Sequence, residues 1–386
     1  MSEVAEEENP TAVTTIRETV KENIRIARLR HRQDELDNLR ITHGDPEDDS
    51  INLQTFTKND VLDIANKIKK QRHASTTDLL KLCHAFLQSI DNINCFVNTT
   101  GAVPVIVKEM TGKKTETQML AIECLCNLSL GSEDTSEKVA QKAGTYLHTF
   151  LQSSNESIVR TSLWCLTNLI VAGKKPLKIM ISQEIISALI NVTLSIHNRN
   201  LTDESYVAIE LILDHGGVPR PSDIETLCAK WILHQEAPLD LGKTKIVYKL
   251  LNLLEFKSND AIEMDKLVYI CFGTLLNLYD VTSSSPPAPS ESREFLHQVV
   301  LLMRICSNLV ALENSYADYI IDNWFRTQSR SLATFFNYFI KQMAATNLSI
   351  EEIYWFIGNL MKCQLSDTTL KYVETDEFFA KIQMEV

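Results

Sequence analysis

The chain has 386 residues, 50 of them acidic and 38 basic, for a formal net charge of −12. Hydrophobic residues make up 44% of it, more than a disordered chain carries, and only 11 Gly and 10 Pro interrupt them. This composition excludes β sandwiches rich in turns, collagen and low-complexity sequence, and it points to an all-α protein. No uninterrupted apolar run approaches the ~18 residues of a membrane span. The longest, Leu163 to Ala172, is broken by Thr167 and Asn168.

The chain opens on acids, Glu3, Glu6, Glu7 and Glu8, with no apolar segment of the kind a secretory signal requires. Nine cysteines without a metal-type CxxC pair suit a reducing compartment, and Cys124 and Cys126 read as buried structural thiols. The expected setting is cytoplasm and nucleus, with no membrane association.

The first predicted element is a helix over 16–41. It contains no Gly or Pro, and Thr15 with Glu18 three residues later forms a capping box. Residues 17–32 hold six bases (Arg17, Lys21, Arg25, Arg28, Arg30 and Arg32) against Glu18 and Glu22, and acids flank the stretch on both sides. Steps of four, three and four place Lys21, Arg25, Arg28 and Arg32 on one stripe. Such a helix is either a solvated or coiled-coil element or a basic rod that an acidic partner clasps. Nucleic acid is not expected as a partner, because the acidic flanks repel phosphate and no aromatic residues are interleaved. His43-Gly44-Asp45-Pro46 ends the helix, so residues 1–50 form a separate segment ahead of a body at 51–386.

The body repeats itself. ECLCNLSL at 123–130 returns as WCLTNLIV at 164–171, 41 residues later, and Gly101 and Gly144 each precede an apolar helix. Periods of about 40–47 residues are the mark of stacked helical repeats. Within one unit the pattern predicts a first helix over 134–143, a second over 145–152 and a third over 156–171. On the third, Val159, Leu163, Leu166 and Ile170 form the core stripe, and Arg160, Trp164 and Asn168 form a second stripe beside it. Trp and Asn four residues apart point the same way, so a ladder of such pairs can hold an extended peptide, with amides on its backbone and indoles against its cations. The competing reading packs Trp164 between adjacent third helices. The expectation is that Asn127, Trp164 and Asn168 are exposed.

Glycine-led second helices, long third helices and W-x-x-x-N-L resemble armadillo repeats of the importin-α type. Trp164 and Asn168 match that motif, as do Trp355 and Asn359 in EIYWFIGNLMK, while LRHRQDELDNLRI at 29–41 is similar to the end of that family's importin-β-binding helix. The resemblance implies an armadillo-repeat right-handed superhelical solenoid of about seven or eight repeats. It implies a groove in which Asn127, Arg160, Trp164, Asn168, Trp355 and Asn359 bind a protein cargo peptide. It also implies an importin-β-type carrier bound through Lys21, Arg25, Arg28, Arg30, Arg32 and Arg40, with the basic helix able to occupy its own groove. An armadillo scaffold that binds a partner without transport is the alternative.

Later rungs depart from the motif. Glu123 replaces Trp before Asn127, Tyr206 and Glu210 replace both residues, and Gly273 and Arg304 precede Asn277 and Asn308. Asparagine spacings of 31 and 51 and the SSSPPAPS insertion at 283–290 mark irregular repeats. No catalytic chemistry is legible. Gly242-Lys243-Thr244 lacks the leading glycine of a phosphate loop, because Ala237 stands in its place. His215-Gly216-Gly217 reads as a turn closing a helix that ends at Asp214, and His84 as a packed residue. No cofactor or metal is expected. A polar final helix over 367–386 favours a monomer.

Overall fold

The computed structural model describes residues 54–386, except 196–197, 217–218, 233–237, 257–261, 286–288, 347 and 383–386. The basic helix expected over 16–41, with Lys21, Arg25, Arg28, Arg30, Arg32 and Arg40, lies outside the described residues. Every described regular element is helical, and the chain divides into two compact units at Gly216/Gly217.

The first unit is a stack of repeats of two or three helices. Two helices, α1 (Lys58–Gln71) and α2 (Thr76–Gln88), precede the first complete repeat, formed by α3 (Ile90–Asn98), α4 (Ala102–Met110) and α5 (Thr115–Leu128). The second repeat has α6 (Glu133–Phe150) and α7 (Glu156–Ala172). The third has α8 (Lys174–Ser182), α9 (Ile185–Ser195) and α10 (Arg199–Gly216). The third helices α2, α5, α7 and α10 pack in succession. Three helices per roughly 42 residues is the armadillo-type arrangement.

Local chemistry sets the helix starts. Thr57 and Ser75 close capping boxes with Asp60 and Asp78, and Ser132 and Asn155 cap α6 and α7 through backbone amides. Gly101 precedes α4 at φ +93°, in the left-handed region where an L side chain is strained.

Gly144 behaves differently from the sequence expectation. It does not divide two helices, because α6 runs unbroken across 134–152 as far as Phe150. Its role is close approach: a Cβ there would fall 2.4 Å from Met180 Cε and 2.5 Å from Gln183 Oε1 on the next repeat. In the third repeat the corresponding pair, α8 and α9, is bent by 67°.

The expected core stripe is present, since Val159, Leu163, Leu166 and Ile170 are all buried. Ile158, Cys165, Leu169 and Val171 are buried too, so α7 is enclosed on most of its circumference and forms the spine of its repeat. Eight of the nine cysteines are buried thiols, Cys124 and Cys126 among them. His84 is half-buried.

The second unit has longer helices. A short α11 (Pro221–Leu227) runs into a π-helical turn over Cys228–Ile232, followed by α12 (Leu241–Leu253), α13 (Met264–Ser284) and α14 (Pro289–Leu312). Then come α15 (Ser315–Ile321), a second π turn over Asp322–Arg326, α16 (Leu332–Ala345), α17 (Glu351–Lys362), α18 (Asp367–Thr375) and α19 (Phe378–Lys381). Phe272, Phe325, Phe335, Phe336 and Phe356 meet in a buried cluster of mostly edge-to-face rings.

Three features here bear on the sequence expectations. The stretch Arg293–Leu312 is long and apolar enough to span a membrane by mean hydropathy, 1.6, although no uninterrupted run shows it; 61% of its most apolar window is buried, and α14 packs against α12, α13 and α17. The helix expected to end at Asp214 continues to Gly216. The final segment is two helices, broken where Glu377 takes φ +50°, and Phe378 is buried against Phe336.

Two outcomes follow. Gly101→Ala places a side chain in the left-handed region and is expected to lower stability by about 1–2 kcal/mol in denaturant titration, whereas Gly358→Ala, with open space around it, has no such cost. The second concerns Asp78. Burial alone would raise its carboxyl, but the Lys67 ammonium at 2.7 Å and the Ser75 hydroxyl and amide outweigh burial and hold it below its ordinary value. A depressed folded-state pKa adds stability that is full above about pH 4 and is lost as pH falls through the lowered value. Asp78→Asn is therefore expected to be less stable at neutral pH and to show a shallower acid decline, measured by thermal melts between pH 7 and pH 3.

Candidate functional site

Helices α5, α7 and α17 carry every groove residue expected from the sequence, and the structure separates them into two groups. In the first unit Asn127 and Asn168 are buried, at 2% and 1% exposure, which corrects the expectation that they are exposed. Asn127 donates its side-chain amide to the carbonyl of Cys83 at 3.1 Å, one repeat back. Asn168 donates to the carbonyl of Cys126 and to Ser129 Oγ, both at 3.0 Å. The amides thus face the preceding third helix and act as clamps between repeats.

The 41-residue sequence offset recurs as a physical contact. Cys83 Sγ lies 3.1 Å from Cys124 Sγ, Lys175 Nζ pairs with Asp134 Oδ1 at 2.8 Å, and Thr135 Oγ1 donates to Asn94 Oδ1 at 3.2 Å; each pair is 41 residues apart. Trp164 and Arg160 share the neighbouring stripe of α7, and both are half-buried rather than fully exposed. Tyr206, one repeat beyond Trp164, is buried.

In the second unit Asn359 repeats the clamp. Its amide donates to the Ser307 carbonyl at 3.2 Å and to Ser307 Oγ at 2.8 Å, 52 residues back. That distance explains the 51-residue spacing of Asn308 and Asn359: α14 and α17 are stacked neighbours, and α15, the π turn and α16 fill the sequence between them. The amide of Asn308 turns back onto the Arg304 carbonyl of its own helix.

Trp355, by contrast, is 44% exposed. It lines a recess of about 270 Å³ with Tyr248 of α12, Arg304 and Asn308 of α14, and Glu351 and Glu352 of α17. Arg304 Nη2 pairs with Glu352 Oε1 at 2.6 Å, and this bond, against partial burial, raises the guanidinium above its ordinary value, with Tyr248 contributing. Glu351, one turn before Trp355, stands exposed. An open indole with a carboxylate one turn away attracts a cationic side chain, while Arg304 and Asn308 supply groups for a peptide backbone.

Sequence reasoning named Trp355 but missed Glu351, Glu352 and Tyr248. The two glutamates were findable, because they stand four and three residues before Trp355 on the same helical face. Tyr248 carries no local signal.

No family model matches the sequence. Among solved structures, the chain is similar to an engineered protein at TM-score 0.52 and 15% identity, over 79% of this chain and 69% of that one. That likeness is one of fold alone. A designed armadillo repeat protein, YIII(Dq)4CqI, aligns at TM-score 0.44 and 14% identity over 63% of this chain and 98% of its own. Another, YIII(Dq.V1)4CPAF in complex with the peptide (KR)4, aligns at 0.45 and 15% over the same shares. Among the described residues no group of three His, Cys, Asp or Glu side chains is placed to hold a metal ion.

Asn168→Ala removes two internal hydrogen bonds and is expected to cost about 1–2 kcal/mol, at roughly 1 kcal/mol per bond. The fall should appear in the melting temperature. An unchanged melt would mean that the amide does not hold the stack.

Proposed function

We propose that this protein is a helical-repeat scaffold that binds an extended segment of a partner protein, and that the recess formed by α12, α14 and α17 takes one of its basic side chains. The observation that carries this reading is Trp355, a large aromatic held open to solvent beside Glu351 and Glu352. Buried apolar residues already fill the core of α17 with Ile353, Phe356, Ile357 and Leu360, so packing does not require the indole. The (KR)4 peptide bound by one of the designed armadillo proteins is of the same chemical kind.

In the first unit, Arg160 and Trp164 form a second, more enclosed contact stripe for the same partner class, with Asn127 and Asn168 fixing the spacing of the helices beneath. The protein acts as a monomer.

A more specific reading is an adaptor for nuclear import. It rests on the basic stretch at 17–32, where Lys21, Arg25, Arg28, Arg30 and Arg32, with Arg40 beyond, would engage an importin-β-type carrier, and the protein would move between cytoplasm and nucleus. A pull-down with and without residues 1–50 separates the two readings. Recovery of a carrier only with the segment present supports the adaptor, and recovery of the same partners from both forms supports the scaffold.

For the recess itself, Trp355→Ala is expected to weaken binding of a Lys/Arg-rich peptide at least tenfold, about 1.4 kcal/mol, while the melting temperature barely moves. Unchanged affinity in isothermal titration would place the partner elsewhere.

A further inference from the structure

A second recess lies in the same unit but on different helices. It has a volume of about 420 Å³ and is lined by Asp265, Lys266 and Tyr269 of α13 and by Ser315, Tyr316 and Tyr319 of α15. Three phenol rings on two helices converge on one opening. None is needed for the core, which α13 fills with Leu267, Val268, Cys271, Phe272 and Leu275 and α15 with Ala317, Ile320 and Ile321.

The site is built rather than incidental. Tyr269 is 47% exposed, and its ring is backed by Trp324 at a centroid distance of 5.1 Å. Trp324 reaches that place from the π turn over Asp322–Arg326, whose wider winding shows in the bond from the Thr327 amide to the Asp322 carbonyl, 3.0 Å. Such turns are uncommon and recur at functional positions. The indole also lies beside Gly273 of α13, where a Cβ would meet it at 3.5 Å, an ordinary contact distance.

Asp265 sits among the phenols. Tyr316 donates its hydroxyl to that carboxylate, and burial together with the Asp265 charge pushes the Tyr316 hydroxyl up to about 12. Glu313 adds a second negative charge beside Tyr316, so two carboxylates outweigh the single ammonium of Lys266 at the rim.

We propose that this recess is a binding pocket for an arginine side chain carried on a partner segment, its guanidinium lying on the phenol face of Tyr269 and bonded to Asp265. A planar guanidinium suits both halves of the site: it stacks on aromatic rings, and its parallel N–H groups match a carboxylate. Lysine would lose the second of these. An aliphatic side chain would leave the negative charge of Asp265 unmatched. The pocket lies on α13 and α15, whereas Trp355 lies on α17, so the two assignments can fail separately.

The test is isothermal titration of the full-length chain with three acetylated, amidated tripeptides, Gly-Arg-Gly, Gly-citrulline-Gly and Gly-Lys-Gly. Expected are saturable binding of the arginine peptide, at least tenfold weaker binding of the citrulline peptide, and weaker binding of the lysine peptide. Tyr269→Ala and Asp265→Asn should each weaken the arginine peptide at least tenfold with unchanged melting temperature, because Tyr269 is exposed and asparagine still accepts the Tyr316 proton. Tyr269→Phe should retain affinity within about threefold, since the ring face remains. Trp355→Ala should leave this binding intact. Equal affinity for arginine and citrulline, equal affinity for arginine and lysine, or loss of binding in Trp355→Ala but not in Tyr269→Ala would each overturn the proposal.

Discussion

One bond organises the first unit: a buried asparagine amide on α5, and another on α7, donates to a carbonyl on the third helix before it. A carbonyl inside an α-helix is already engaged with its own helix, but a second lone pair remains. Asn127 uses that spare acceptor on Cys83, and Asn168 bonds the carbonyl of Cys126 in the last turn of α5, which also accepts from the Ser129 hydroxyl. The bond has direction and length, so it fixes both the register and the separation of neighbouring repeats. Hydrophobic contact between Leu163, Leu166 and their neighbours supplies the larger energy, but it is not directional and tolerates sliding. The polar clamp selects one stacking from the many that burial alone would allow.

The same device explains the irregular second unit. Asn359 reaches Ser307 across 52 residues as Asn168 reaches Cys126 across 42. The extra chain length is absorbed by α15, the π turn and α16, whose phenylalanines join Phe272 and Phe356 in an aromatic cluster. Edge-to-face packing of Phe325 on both Phe272 and Phe335 holds helices of unequal length where the repeat no longer sets their spacing. Two wide turns, at Cys228–Ile232 and Asp322–Arg326, redirect the chain without breaking it. The second places Trp324 against Tyr269, so the departure from repeat geometry and the aromatic recess share one cause.

Much of the fold was legible in the sequence, because period and burial are linked. The 41-residue offset between Cys124 and Cys165 and the stripe from Val159 to Ile170 are direct traces of stacked helices. The break at Gly144 was misread, since a glycine can mark a helix start, as Gly101 does, or a close approach inside a helix, and local sequence does not distinguish them. The site was legible only in part. Spacing shows that Trp164 and Asn168 share a face; whether that face meets solvent or the preceding helix depends on how the repeats rotate, which is a tertiary property. Trp355 was legible because it stands four residues before Asn359, in the same pattern as Trp164 and Asn168. The tyrosine recess was not, because it joins residues 265–269 to 315–319 through two helices with no common motif.

The side-chain amide protons of Asn127 and Asn168 offer the most direct measurement of the central claim. Their hydrogen exchange can be followed by nuclear magnetic resonance on protein labelled with ¹⁵N-asparagine, with the surface residue Asn200 as reference. Amides clamped between repeats should exchange far more slowly than the reference, and their signals should stay fixed when a Lys/Arg-rich peptide is added. Exchange as fast as that of Asn200, or signals that move on addition of the peptide, would mean that these residues face the partner and that the repeats are held together by something else.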